Sequence, residues 1–160
     1  SAKGLAFALN KPLIGLSTLC LFAKAAVGHL IATRNALLDD KQLQVFSMID
    51  ARRMEIFGAI YNSSLDYLAP EKAIILDEPL LHSLLTNGPL ICIGSGVAKT
   101  KILTQHTDFQ NKLPLFLEYT YSIHEMAALA VDKFKANDFE DLAYSGPAYL
   151  KDYYQKPLIK

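Results

Sequence analysis

Leu43-Gln44-Val45-Phe46-Ser47-Met48-Ile49-Asp50 runs into Ala51-Arg52-Arg53 and returns as Met54-Glu55-Ile56-Phe57-Gly58-Ala59-Ile60-Tyr61. The first run is apolar at both odd and even positions, so as a strand it must be covered on both faces, which places it centrally in a sheet. The polar triplet turns the chain, and the second run pairs back as an antiparallel hairpin. After the turn Asn62-Ser63-Ser64, Leu65-Asp66-Tyr67-Leu68 is expected to add a third strand.

On the C-terminal side, Lys72-Ala73-Ile74-Ile75-Leu76 leads to Asp77, an N-cap with Glu78 and Pro79 in the first turn behind it. That helix should stop at Asn87-Gly88-Pro89. Leu90-Ile91-Cys92-Ile93 reads as a short buried strand, Gly94-Ser95-Gly96 as the turn after it, and Ala98 to Gln105 as a helix. Leu115-Phe116-Leu117 supplies one more strand. Ser122-Ile123-His124-Glu125 is a capping box that opens a helix to about Ala136, with Ile123, Met126, Ala127, Ala130, Val131 and Phe134 expected on its buried side. Residues 144–151 form an extended aromatic tail.

On the N-terminal side, Ala2 to Leu9 is an apolar helical run with no capping turn ahead of it beyond Ser1. Leu5, Phe7 and Leu9 are expected to be exposed or covered by another copy. The run leads into Pro12-Leu13-Ile14-Gly15-Leu16, which reads as a buried strand, and Ser17 or Thr18 caps a helix from Leu19 to about Gly28. Helix, short connection, strand and helix is the rhythm of a layered α/β fold. The abrupt start suggests the later part of a larger protein.

The 160 residues suffice for one domain or two small lobes, and with 51% hydrophobic residues they can bury a substantial core. Sixteen basic residues balance sixteen acidic ones. Autonomous nucleic-acid binding, which draws on a surplus of cations, is therefore not the first expectation. Cys20 and Cys92 lie in apolar surroundings without a Cys-x-x-Cys pattern and read as reduced core thiols, in keeping with a cytoplasmic protein. No run approaches the roughly 20 apolar residues of a membrane helix.

Chemistry-bearing motifs are sparse. His29, His82, His106 and His124 form no pair at metal-ligand spacing, and no Gly-x-Ser-x-Gly is present. Gly94, Ser95 and Gly96, followed by Val97-Ala98-Lys99, are candidates for a nucleotide or phosphate loop, since glycines between a strand and a helix let backbone N–H groups approach an anion. A plain tight turn is the competing reading. Asp50, Arg52, Arg53 and Glu55 read as a local ion-pair cluster around the hairpin turn; Lys151, Tyr153, Tyr154, Lys156 and Lys160 read first as a solvated terminus, with contact to RNA by charge and stacking as the competing reading.

Four segments together resemble one family. They are Ala2-Lys3-Gly4-Leu5-Ala6 through Pro12-Leu13-Ile14-Gly15-Leu16-Ser17-Thr18-Leu19; Met48 through Ile56; Ile93-Gly94-Ser95-Gly96; and Pro147-Ala148-Tyr149-Leu150-Lys151. Their order and spacing are similar to TsaB, also called YeaZ, a glycoprotease-like paralogue of TsaD. The resemblance implies an actin-like, ribonuclease-H-like α/β fold of two lobes, lacking its N-terminal part. Residues 1–42 would be the remainder of the first lobe, residues 43–120 the second lobe, and residues 121–160 a helix returning to the first lobe plus the tail.

It also implies a non-catalytic scaffold subunit that works with a TsaD-like paralogue and a TsaE-like ATPase to install threonylcarbamoyl on the adenosine next to the anticodon of tRNA. On that reading tRNA is met through the complex, no cofactor or metal is carried, and a homodimer is a possible assembly. The paralogue's nucleotide loop reads Gly-Gly-Val-Ala. Gly96-Val97-Ala98 echoes it, but Ser95 stands where its first glycine would be. The alternatives from other classes are a glycoprotease-like metallopeptidase or hydrolase, and an ATP-binding phosphotransferase of the actin-like superfamily.

Overall fold

The structure is a computed structural model; it describes residues 1–151 apart from 107, 108, 110, 111 and 119. Among the described residues five strands form one mixed sheet in the order β3-β2-β1-β4-β5: β1 (Gln44–Asp50), β2 (Glu55–Tyr61), β3 (Tyr67–Ile75), β4 (Leu90–Ile93) and β5 (Leu115–Leu117). The first three are antiparallel neighbours, whereas β4 runs parallel to β1 and β5 parallel to β4. The hairpin sits as its sequence demands, with β1 at the centre of the sheet. Its side chains alternate between two cores, Val45 facing one and Phe46 and Met48 the other.

Helix α2 (Thr18–Ala32) covers the first face. Leu19, Phe22, Ala23, Ala26 and Leu30 pack there against Val45, Ala59, Tyr61, Ile91 and Ile93. Ser17 caps it, its Oγ accepting from the Cys20 N–H at 3.2 Å. The helix does not stop at Gly28 as expected. Eight buried side chains hold it on the sheet, and tertiary packing outweighs the roughly 1 kcal/mol that a glycine costs in a helix. On the opposite face, α3 (Glu78–Asn87) contributes Leu81, Leu84 and Leu85, and α4 (Val97–His106) contributes Val97. Asp77 caps α3, accepting from the Leu80 N–H at 2.9 Å.

Two expectations are corrected. Pro12 to Leu16 forms no strand; its one described backbone bond to another segment runs from the Glu140 N–H to the Leu13 carbonyl at 2.8 Å. An apolar run becomes a strand only where a neighbour supplies a ladder. The second concerns α5 (Ile123–Lys135), none of whose residues is fully buried. Ile123, Met126, Val131 and Phe134 are exposed, and the half-buried positions include Ala128, Leu129 and Ala130. Helix α5 meets α2, as the Lys24–Asp132 ion pair at 3.5 Å shows, and no described element covers its apolar stripe. Helix α1 (Ala2–Ala8) leaves Leu5, Phe7 and Leu9 exposed, as expected.

The capping box of α5 is formed in full. Ser122 Oγ accepts from the His124 N–H at 3.1 Å, and Glu125 Oε2 accepts from the Ser122 N–H at 2.7 Å. The Ser122 hydroxyl, which also donates to Glu125 Oε2, and after it the Ser122 N–H hold the Glu125 carboxyl below its ordinary range. A lowered folded-state value contributes stability above the unfolded pKa and loses it as pH falls through the folded one. Ser122→Ala is therefore expected to cost about 1 kcal/mol near neutral pH. The gap from the parent protein should shrink in urea melts once the pH is taken below about 4.

Candidate functional site

Strands β1 and β4 are the point at which strand order reverses, and their carboxyl ends lie side by side. In open α/β sheets this crevice is where ligands bind. Gly94, Ser95 and Gly96 occupy it. Gly94 has φ +108°, a conformation that favours glycine, and a Cβ there would overlap the Met48 carbonyl oxygen. A Cβ on Gly96 would stand 2.8 Å from Met48 Cβ and 3.2 Å from Ile56 Cγ2. Both glycines are thus explained by the close approach of the loop to β1.

Several of the loop's polar groups serve the protein itself. The Gly96 N–H donates to the Met48 carbonyl at 3.3 Å, the Val97 N–H to Gly94 at 3.2 Å and the Lys99 N–H to Gly96 at 3.1 Å. Ser95 Oγ accepts from the Asp50 N–H at 2.9 Å. Lys99, the cation a phosphate would seek, pairs with Asp50 and donates to the Ala51 and Glu55 carbonyls at 2.6 and 2.8 Å. An open cleft of about 740 Å³ adjoins the loop, lined in part by Phe22, Val97, Leu117, Lys101 and Glu118. Lys101 and Glu118 pair across it and hold the Glu118 carboxyl below its ordinary value.

The turn charges do not pair among themselves as expected. Asp50 goes to Lys99, and Glu55 takes Lys151 on both oxygens at 2.8 and 2.7 Å. Among the described residues Arg52 and Arg53 make no ion pair and are exposed. Partners from α4 and the tail displace the local ones because the turn lies beside both. Tyr153, Tyr154, Lys156 and Lys160 lie outside the described residues, as does the His106 side chain. Among the described residues no three His, Cys, Asp or Glu gather to share a metal ion, and no helix is long and apolar enough to cross a membrane.

A second polar centre was not foreseen. The β2–β3 register passes from Gly58↔Lys72 to Ile60↔Ala69, so Pro70 and Glu71 both stand opposite Ala59 as a bulge. Ser17, Tyr61 and Tyr67 each donate a hydroxyl to Glu71 Oε1, the two tyrosines at 3.3 and 3.0 Å. The tyrosine rings lie 4.8 Å apart. Burial, together with Tyr67, pushes the Tyr61 phenol far above its usual value, and burial with the Glu71 charge raises the nearby Cys20 thiol. Burial alone raises Cys92. The one sequence signal for this centre was Pro70 inside a β-rich run, which marks a bulge or an edge.

No family model matches the chain, and no curated protein does. Solved structures do. One is described as an uncharacterized protein with similarity to peptidase YEAZ from Pseudomonas aeruginosa; it is 19% identical with a TM-score of 0.64, over 93% of this chain and 63% of that one. Another is YeaZ from Pseudomonas aeruginosa, 18% identical with a TM-score of 0.64, over 93% of this chain and 64% of that one. The chain therefore spans just under two thirds of the length of either. At this identity the likeness establishes the fold: a mixed α/β sheet of the actin-like, ribonuclease-H-like kind carried by the YeaZ structures.

Proposed function

We propose that the chain is a TsaB/YeaZ-type protein acting as a non-catalytic partner subunit, with TsaD- and TsaE-like proteins, in installing threonylcarbamoyl on adenosine of tRNA. The observation that carries this reading is the likeness of 93% of the chain to the YeaZ fold, on the same order of segments that resembles the family in sequence. The glycine loop supports a structural role, since its Gly96 N–H, its Ser95 hydroxyl and the following Lys99 are engaged within the protein. Uncovered apolar side chains on α1 and α5 are the kind of surface that a protein partner covers. With formal net charge zero, the chain would meet tRNA through the assembly, in the cytoplasm.

The test is reconstitution. The natural protein is combined with TsaD, TsaE, tRNA and threonylcarbamoyl-adenylate, and modified adenosine is measured by mass spectrometry. Omission of this protein should drop modification to background. Undiminished modification without it would sink the proposal, and cleavage of casein by the protein alone would restore the hydrolase alternative.

A further inference from the structure

We propose that the cleft between the start of α2, the β3 bulge and residues 147–150 binds a small aliphatic ammonium ion, with Glu71 as its anionic anchor. The cleft measures about 290 Å³. Leu16, Leu19, Ile49 and Leu150 supply apolar wall, and Glu71 is the one charged residue lining it. All three hydroxyl donors converge on Oε1, and Oε2 receives none of them. Among the described residues Glu71 has no ion-pair partner. Lys151, the cation next to the cleft wall in sequence, is committed to Glu55.

A half-buried carboxylate normally finds a cation as well as neutral donors. Here the hydroxyls fix its orientation while the opposite charge is left to a ligand. One carboxylate among aliphatic walls is too few oxygens for calcium or magnesium, which take six or more. An ammonium head on a hydrocarbon stem satisfies both halves: the head bonds the carboxylate and the stem covers the leucines and Ile49. Residues 147–150 close one side, held there by the Lys151–Glu55 bond. This site is independent of the assembly proposed above.

The test is a titration of the ¹⁵N-labelled chain with n-butylammonium chloride, against sodium chloride at matched ionic strength. Saturable shifts are expected at Ser17, Thr18, Leu19 and Ala148, with a Kd of about 1–10 mM for so small a ligand. Glu71→Gln keeps an acceptor for the three hydroxyls and should weaken binding by about tenfold or more. Ala148→Phe, at an exposed lining position, should fill the cleft and block binding even if Glu71→Gln lost the fold. Shifts that fail to saturate, shifts that sodium reproduces, or full affinity in a folded variant would each overturn the site.

Discussion

Gly94→Ala is expected to destabilise the protein by about 4 kcal/mol, more than a loop substitution normally does. Two costs add. An alanine at φ +108° is strained, and its Cβ would run into the Met48 carbonyl oxygen, with the Met48 carbonyl carbon at 3.1 Å. The carbonyl cannot move aside easily, because β1 is locked between β2 and β4. Forcing the loop outward would stretch the bond from the Gly96 N–H to Met48, which is already 3.3 Å. In a chain of this size the loss corresponds to a fall in melting temperature of about 10 °C, measurable by calorimetry. Ser95→Ala is the control: it removes a single exposed bond to the Asp50 N–H and should cost about 1 kcal/mol. Equal stabilities for the two variants would show that the loop does not depend on its approach to β1.

Phe46→Ala should cost about 3–5 kcal/mol, the range for deleting a fully buried ring. Phe46 is 0% exposed on the central strand, packed within the core beneath α3 and α4. Its ring also accounts for Gly58 on the neighbouring strand, where a Cβ would stand 2.9 Å from Phe46 Cε2 and 3.2 Å from Ile74 Cδ1. Gly58→Ala should accordingly destabilise the parent protein and be much better tolerated once Phe46 is alanine. Urea melts of both single variants and the double variant give the coupling directly. Additive losses would refute the packing account of Gly58.

The central hairpin was legible because its signal is local: two apolar runs flank a polar turn, and burial on both faces follows from the absence of alternation. The caps at Ser17, Asp77 and Ser122 were legible for the same reason, since cap and partner lie within three residues. The stripe on α5 was also legible as apolar. Periodicity reports that a face is hydrophobic, and it cannot report whether anything covers it. Ile123 and Phe134 show the difference.

The crevice loop was legible as a strand–turn–helix segment. That its Gly96 N–H is spent on Met48 depends on how close β1 comes, which no spacing encodes. Glu71 was missed altogether. Its donors come from positions 17, 61 and 67, brought together by α2 crossing the sheet and by an irregular register. The expected third strand at Leu65 to Leu68 and the lead-in from Lys72 to Leu76 are in the molecule parts of one strand, Tyr67–Ile75, which absorbs the extra residue.

That irregular strand has a consequence for solubility. An open sheet has two exposed rims, and an unpaired rim is a template on which other chains can stack into fibrils. Here one rim is β3, where Pro70 withholds an N–H and the displaced residues interrupt the ladder; the other is β5, only three residues long. Among the described residues neither rim offers the long, regular row of donors and acceptors that growing aggregates require. The bulge that aims Glu71 at Ser17 thus also helps keep the sheet from recruiting its own kind.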